Sequence, residues 1–328
     1  MSEKVYVTRP IFAEAIDALK VEAKVAYNSE ERVLSRAELL DRLREVSGVV
    51  ALTTDTIDRE IMESLPKLRV IANVGVGYNN LDVSAATSLG ILLTNTPGVV
   101  TETTADFAWA LLMSAARRTA EADAFTRAGK FNLLGLQEFL GHEISGRTLG
   151  IVGFGRIGQA VARRAAGFNM KVVYCNSKPQ NEDASESTGA MELSFESLLK
   201  TSDFISLHVP LNTQTTHLLN DRAFAMMKRN AIVINTARGP VIDEKALVRA
   251  LTNGSIAGAA LDVYEHEPEI EPELLKLRNV VLAPHIGSAS RETRLRMCMT
   301  AAQNLIAGLR GVRPPNLVNT EAWELRRG

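Results

Sequence analysis

Short runs of apolar and β-branched residues alternate with amphipathic segments along the first third of the chain. The pattern predicts strands at Val5–Thr8, Val49–Leu52, Val70–Val76 and Ile91–Thr94, and a first helix at Phe12–Lys20. A strand–helix–strand rhythm of this kind favours a parallel sheet with helices on both faces.

A second series of alternating strands and helices begins at Thr148. Before it, the pattern predicts one helix from Thr103 to Ala128, followed by a linker without periodicity from Gly129 to Gly146. The first half of that helix is apolar on every side, so we expect it to be buried, with a second subunit as one candidate cover. The later strands are uniformly apolar, as in sheets covered on both faces. A last helix is predicted at Arg291–Leu309.

These patterns predict an α/β protein with parallel sheets that are covered by helices on both faces. The length of 328 residues agrees with two domains.

Composition narrows the classes of protein that remain. Hydrophobic residues make up 46% of the chain and charged residues 23%, which excludes a disordered or fibrous chain. Lys and Arg number 37 against 38 Asp and Glu, so no overall charge favours nucleic acid or an anionic membrane as partner. Two cysteines, Cys175 and Cys298, are too few for a disulfide framework. With no signal-peptide pattern and no long apolar run, we expect a cytoplasmic protein.

The segment LGIVGFGRIGQA contains the glycine pattern G-x-G-x-x-G at Gly153, Gly155 and Gly158. Such a pattern is weak alone, but here it joins a predicted strand to a predicted helix. In that setting the first glycine permits a tight turn, the second lets the backbone approach a pyrophosphate, and the third brings helix and strand together. We therefore predict a dinucleotide site, with Arg156 supporting the pyrophosphate; a bare turn without a ligand is the alternative.

The residues after the next strand bear on which dinucleotide binds. NAD-specific folds usually place Asp or Glu there, because a carboxylate binds the ribose hydroxyls and repels a 2′-phosphate. Here Asn176, Ser177 and Lys178 follow Cys175. The missing acid predicts NADP(H) as the preferred cofactor, with NAD(H) as the alternative if Lys178 is merely a solvated charge.

Three polar residues follow the predicted strands of the second half: Arg238 in NTARGPVID, Glu267 in LDVYEHEP and His285 in PHIGS. Ligands of open α/β sheets bind beyond the carboxyl ends of the strands, so these side chains could converge. Arg238 suits a carboxylate and a carbonyl, His285 suits proton donation, and Glu267 suits orientation of the imidazole. Each has an ordinary structural alternative when it is considered singly.

Motifs of other enzyme classes are missing. His266-Glu267-Pro268 lacks the second histidine of a zinc motif, no Cys/His cluster has metal-ligand spacing, and no G-x-S-x-G is present. We therefore predict no metal site.

The glycine turn, together with Arg238, Glu267 and His285, resembles the D-isomer-specific 2-hydroxyacid dehydrogenases. The resemblance runs from NVGVGYNNLDV to PHIGSASRETR and includes the spacing of Arg238, Glu267 and His285. The segments TPGVVTETTADFAWALL and LGIVGFGRIGQA are most similar to the glyoxylate, hydroxypyruvate and 2-ketogluconate reductases. The resemblance implies an α/β fold of two doubly wound parallel-sheet domains, Rossmann-like or flavodoxin-like, with a cleft between them. It implies a discontinuous substrate domain of residues 1–100 plus 288–328, an NAD(P)-binding Rossmann domain of residues 101–287, and a homodimer.

The resemblance also implies roles for individual residues. Arg238, Glu267 and His285 would be catalytic. Substrate contacts would come from Leu52, Val74, Gly75, Val76, Arg238, His285 and Ser288. Cofactor contacts would come from Thr104, Gly153, Phe154, Gly155, Arg156, Ile157, Gly158, Asn176, Ser177, Lys178, His208, Val209, Pro210, Thr215, Thr236, Ala237, Arg238, Asp262, His285 and Gly287. The segment Phe131–Leu140 lacks the tryptophan that related reductases often carry, so it does not indicate substrate size.

The sequence thus predicts an NADPH-preferring reductase of small 2-oxo acids, acting on glyoxylate and hydroxypyruvate with His285 as general acid. One alternative is an NAD-dependent D-2-hydroxyacid dehydrogenase acting on another acid, such as 2-ketogluconate. The other alternative, from a different class, is a dinucleotide-sensing binding protein or corepressor.

Overall fold

Two compact units make up the chain in the computed structural model, which describes residues 3–133, 135–177 and 188–327. The first unit comprises Met1–Val100 and Ala289–Gly328, and the second comprises Thr101–Ser288. Both chain ends therefore belong to the first unit.

Each unit is built on one parallel sheet. The first sheet has the strand order β2-β1-β3-β4-β5 and the second has the order β12-β11-β10-β9-β6-β7-β8. The strands of the first sheet are β1 Lys4–Val7, β2 Lys24–Tyr27, β3 Gly48–Leu52, β4 Val70–Val74 and β5 Leu92–Thr94. The strands of the second are β6 Thr148–Val152, β7 Lys171–Cys175, β8 Met191–Glu192, β9 Phe204–Leu207, β10 Ile232–Asn235, β11 Gly258–Leu261 and β12 Val280–Leu282.

Helices cover the two faces of both sheets. In the first unit they are α1 Ala13–Glu22, α2 Arg36–Leu43, α3 Arg59–Glu63 and α4 Val83–Ser88. The second unit contains α5 Thr101–Arg117, α6 Thr119–Arg127, α7 Arg156–Ala165, α8 Phe195–Thr201, α9 Asp221–Met226 and α10 Glu244–Thr252. The chain then returns to the first unit with α11 Arg291–Leu309 and α12 Ala322–Leu325. The predicted α/β class with doubly wound parallel sheets is confirmed.

Apolar side chains form a separate core on each face of each sheet. In the first unit, Leu305 of α11 and Leu19 of α1 are buried on one face, and Leu43 of α2 is buried on the other. In the second unit, α5 and α7 pack together, and the Trp109 indole donates to the Val161 carbonyl at 3.0 Å. Burying these faces is the main favourable term that fixes the positions of the strand ends.

Two sequence predictions were wrong. The predicted helix from Thr103 to Ala128 is two helices, because Arg118 adopts a left-handed conformation with φ of 54° between α5 and α6. Strand β2 was missed, because it is an edge strand whose short KVAY run is largely exposed and lacks a buried apolar pattern.

The described part of the chain holds no helix that is long and apolar enough to cross a membrane. In the same residues, His, Cys, Asp and Glu side chains form no cluster of three that could hold a metal ion.

Candidate active site

The glycine turn of the second unit connects β6 to α7. Gly153 has a φ of 92°, and a Cβ there would lie 2.6 Å from the His208 carbonyl oxygen. A Cβ at Gly158 would lie 2.3 Å from the Gly153 carbonyl oxygen. Gly155 faces open space, because a Cβ there would have no atom within 4 Å. The first and third glycines are therefore required by packing, whereas the second leaves room for a ligand.

The first turn of α7 is open to an anion. Gly155 is the N-cap of α7 and provides no side-chain hydrogen bond, whereas Ser35, Asp58 and Asp243 cap α2, α3 and α10 with their side chains. Uncapped amides and the helix dipole favour a negative group at this end. Arg156 begins the helix with an exposed side chain, and Ile157 follows it half-buried. This turn fits the phosphates of a dinucleotide.

The end of β7 lies beside the glycine turn. Asn176 accepts a hydrogen bond from the Phe154 amide at 2.6 Å, which joins the two segments. Ser177 is exposed, and Lys178 lies outside the described residues. In the described ranges the buried Asn176 Nδ2 and Thr236 Oγ1 have no hydrogen-bond partner. Two buried polar groups at strand ends of the predicted cofactor site thus lack hydrogen-bond partners, as expected if a bound ligand provides them.

The loops after β10, β11 and β12 bring the three predicted catalytic residues to one edge of the second sheet. These strands are adjacent and parallel, so their carboxyl ends lie side by side. His285 Nδ1 lies 2.7 Å from Glu267 Oε2, and the Tyr264 amide donates to Glu267 Oε1 at 3.0 Å. Nε2 of His285 has no partner among the described residues and remains available to a substrate.

Electrostatics keep Glu267 ionised. Burial by itself raises the pKa of Glu267, but the hydrogen bonds from His285 and from the Tyr264 amide, with the positive charge of Arg238, lower it below its usual value. An ionised carboxylate on Nδ1 fixes the ring orientation and stabilises the imidazolium.

Asp262 holds the segment that carries His285. Its carbonyl accepts from the His285 amide at 2.8 Å, and its two carboxylate oxygens accept from the Ile286 and Gly287 amides at 2.7 Å each. His285 has a φ of 54°, a left-handed conformation that costs free energy in a residue with a side chain. The Asp262 hydrogen bonds offset that cost and set the imidazole in place.

Asp262 and Thr104 both approach Gly287. A Cβ on Gly287 would lie 3.0 Å from Asp262 Oδ2 and 3.7 Å from Thr104 Cγ2. Burial raises the pKa of Asp262, and the two amides oppose that rise. The structure therefore brings together three of the predicted cofactor residues, while Ser288 follows them half-buried.

Arg238 lies on a turn that packs closely against the segment that leads to Glu267. A Cβ on the next residue, Gly239, would lie 1.8 Å from the Tyr264 carbonyl, so only glycine fits. Burial lowers the pKa of Arg238, and the charge of Glu267 opposes that effect. The half-buried guanidinium donates from Nη1 to the Ala237 carbonyl at 2.6 Å. A partly desolvated cation of this kind is favourably paired with an anion.

Asn235 shapes the same turn and was missed by sequence reasoning. Its side chain accepts from the Ala237 amide and donates to the Arg238 carbonyl, both at 3.0 Å. The available signal was an asparagine at the end of the otherwise apolar strand AIVIN.

His208 follows β9 and lies against the glycine turn. Its Nε2 lies 2.8 Å from Ser206 Oγ, and burial lowers the pKa of His208 to about 3. The ring is therefore neutral and unsuited to proton donation at neutral pH. Val209 contacts the Gly153 turn, and Thr215 closes the next turn by donating to the Pro210 carbonyl at 2.6 Å.

The first unit has its own candidate anion site at the carboxyl end of β4. The carbonyls of Gly75, Val76 and Gly77 accept from the Thr96 amide and from the Asn95 and Asn73 side chains. The amides of Val76 and Gly77 donate to no group within the described ranges, so they are available to an anion.

Gly75, Leu52 and Val74 lie in the same strand-end region of the first unit. A Cβ on Gly75 would lie 2.4 Å from Thr53 Cγ2, which excludes a side chain there. Leu52 donates its amide to Asp55 at 2.7 Å, and Val74 is half-buried at the end of β4.

Comparison with known proteins identifies similar chains. Residues 109–287 match the family "D-isomer specific 2-hydroxyacid dehydrogenase, NAD binding domain". A glyoxylate reductase of Thermococcus litoralis is 50% identical over 325 residues, covering 98% of each chain.

Solved structures are similar to this chain over nearly its whole length. A protein of Thermus thermophilus superimposes with a TM-score of 0.90 at 44% identity, covering 96% of this chain and 99% of that one. An NADPH-dependent glyoxylate/hydroxypyruvate reductase of Sinorhizobium meliloti, in complex with NADP and malonate, has a TM-score of 0.83 at 32% identity and covers 100% and 99%.

The low pKa of His208 predicts a pH-dependent loss of stability. Between the unfolded value of 6.5 and the folded value of about 3, the unfolded state binds the additional proton, so lowering the pH favours unfolding. His208→Gln keeps a donor near Ser206. We expect its free energy of unfolding to fall by about 2 kcal/mol less than that of the wild type between pH 7 and pH 5. Urea unfolding at both pH values measures this difference. The control is His266→Gln at an exposed histidine, and equal losses in wild type and His208→Gln would contradict the assignment.

Proposed function

Because this chain belongs to the D-isomer specific 2-hydroxyacid dehydrogenases and is an NAD(P)-dependent oxidoreductase, we propose that it reduces glyoxylate and hydroxypyruvate, with NADPH as the preferred cofactor. The observation that carries the proposal is the His285–Glu267 pair beside a half-buried Arg238. The glyoxylate reductase of Thermococcus litoralis, half identical over its length, supports glyoxylate as substrate. A role on 2-ketogluconate is the alternative within the same chemistry.

The cofactor is proposed to bind the second unit. Its phosphates would contact the turn from Gly153 to Gly158, and its ribose would contact Asn176 and Ser177. Thr236, Ala237, Asp262 and Thr104 would line its nicotinamide end. When bound, it supplies a hydride to the carbonyl carbon of the 2-oxo acid.

The protein residues supply binding and the proton. Arg238 binds the substrate through its planar guanidinium, which suits the carboxylate and polarises the carbonyl. His285, as imidazolium, donates the Nε2 proton to the carbonyl oxygen as the carbon is reduced to an alcohol. Glu267 holds Nδ1 and stabilises the charged ring before transfer. The free amides of Val76 and Gly77 are proposed to bind a substrate carboxylate.

An activity grid tests this function. Purified protein is mixed with NADPH or NADH and with glyoxylate, hydroxypyruvate, pyruvate or 2-ketogluconate, and loss of reduced-nicotinamide absorbance is followed. We expect the highest kcat/KM with glyoxylate and hydroxypyruvate, and NADPH to exceed NADH by about tenfold or more, equivalent to about 1.4 kcal/mol. No turnover of any 2-oxo acid would overturn the reductase proposal. Higher kcat/KM with NADH would overturn the cofactor preference alone.

The NADPH preference is supported by the missing acid after β7. Asn176 uses its side-chain oxygen on the Phe154 amide, and the exposed Ser177 carries no charge. The Sinorhizobium meliloti neighbour, described as NADPH-dependent, points the same way.

We expect Ser177→Asp to lower kcat/KM for NADPH by about tenfold or more, because its carboxylate repels a 2′-phosphate. The value for NADH should change little. Steady-state kinetics with both cofactors measure the ratio, and Ser177→Asn is the uncharged control of the same size. A ratio that Ser177→Asp leaves unchanged would place the adenosine ribose elsewhere.

The proposed homodimer is supported by four exposed apolar side chains that lie close together in the sequence. Phe131, Leu133, Leu136 and Leu140 are 64%, 76%, 91% and 65% exposed. Exposed large apolar side chains grouped in this way are typical of an interaction site.

We expect Leu136→Asp to convert a dimer to a monomer without loss of fold, because the side chain has almost no contacts within its own chain. Light scattering measures the mass, and far-UV circular dichroism checks the fold. Leu275→Asp, at another exposed leucine, is the control and should remain dimeric. A wild type that is monomeric at micromolar concentration would contradict the proposal.

A further inference from the structure

A buried carboxylate contacts the loop that carries Glu267 and has no role in the proposed chemistry. Glu244 is the first residue of α10 and is only 5% exposed. Ionisable side chains are rarely buried to this extent unless their oxygens are hydrogen-bonded, because desolvation of the charge is costly. Its partners therefore indicate its role.

Glu244 binds a backbone amide of the loop that carries Glu267. Its Oε1 accepts from the Glu265 amide at 2.8 Å. Glu265 precedes Glu267 by two residues. We define residues 264–271 as the Glu267 loop; Glu244 thus binds the first part of this loop.

The contact is reciprocal and extends to the turn that carries Arg238. The Glu244 amide donates to Glu265 Oε2 at 3.3 Å, and Glu265 Oε1 lies 2.6 Å from His217 Nε2. The His217 amide donates to the Pro240 carbonyl at 2.8 Å. One hydrogen-bonded chain therefore connects α10, the Glu267 loop and the Arg238 turn.

The electrostatic environment of Glu244 is mixed. Burial raises its pKa, and the amides of Glu265 and Glu271 oppose that rise. Its position in the first turn of α10 favours a negative charge. The titratable groups that face Glu244 or its loop partners are Tyr264, Glu265, His266, Glu271, Glu273, Lys245 and His217.

We propose that Glu244 is a positioning residue that fixes the Glu267 loop, so that the Glu267 carboxylate stays hydrogen-bonded to His285 Nδ1. The inference rests on the proposed function and extends it to a residue that touches neither substrate nor cofactor. A purely structural role would lower the stability of the protein without changing the proton-transfer step.

Glu244→Gln separates the two roles. The carboxamide is uncharged, and only its one oxygen can accept from the Glu265 amide, whereas both oxygens of the Glu244 carboxylate can accept. We expect faster hydrogen exchange in a peptide covering residues 262–271, and a fall in kcat for glyoxylate of about 10- to 100-fold. The KM for NADPH should stay unchanged, because its phosphates contact the distant glycine turn. The pH profile of reduction should shift to lower pH, because a loosened carboxylate stabilises the imidazolium less.

Asp221→Asn is the matched control. Asp221 pairs with Arg249 of α10 at 2.7 Å, on an exposed surface away from the Glu267 loop. It should leave exchange, kcat and pH profile unchanged.

The outcomes are distinct. Unchanged exchange of the loop in folded Glu244→Gln would overturn the proposal, as would faster exchange with unaltered kcat and pH profile. A wild type that reduces no 2-oxo acid would overturn the proposed function only. The exchange comparison would then still decide whether Glu244 holds the loop.

Discussion

The hydrogen bond between Glu267 and His285 is the interaction on which the rest of the site depends. At 2.7 Å it orients one imidazole nitrogen inward and leaves Nε2 available. A carboxylate that stays ionised stabilises the imidazolium form of the ring. The imidazolium is the form that can donate a proton to a carbonyl oxygen. In the proposed reaction the cofactor supplies the hydride, and the contribution of the protein is to hold this pair beside Arg238.

Backbone contacts in the second unit fix the loops that carry His285 and Arg238. Asp262 binds three successive amides from His285 to Gly287, and this fixes a left-handed backbone conformation at the histidine. Gly239 allows the Arg238 turn to approach the Tyr264 backbone closely. These contacts join backbone amides to the Asp262 carboxylate or bring two backbone segments together, so the geometry is set by the loops after three adjacent strands.

The sequence was sufficient for the parallel α/β architecture, because β-rich runs and amphipathic segments each have a distinct period. The glycine turn was also predictable, since G-x-G-x-x-G has a defined meaning between a strand and a helix. Other features had no local signal. Arg118 ends a helix within a continuous helical pattern, and β2 has an exposed edge sequence. Glu244 looks like an ordinary acid in a first helical turn, and only the tertiary structure shows that it binds a loop more than twenty residues away in sequence, at Glu265.

A double-mutant cycle on Glu267 and His285 tests the central claim most directly. The kcat for glyoxylate is measured for wild type, Glu267→Gln, His285→Asn and the double variant. If the two residues act as one unit, the double variant should be about as slow as His285→Asn alone, because the carboxylate has no role without the ring. If the two losses multiply in the double variant, Glu267 and His285 act independently, and the account given for this site is contradicted.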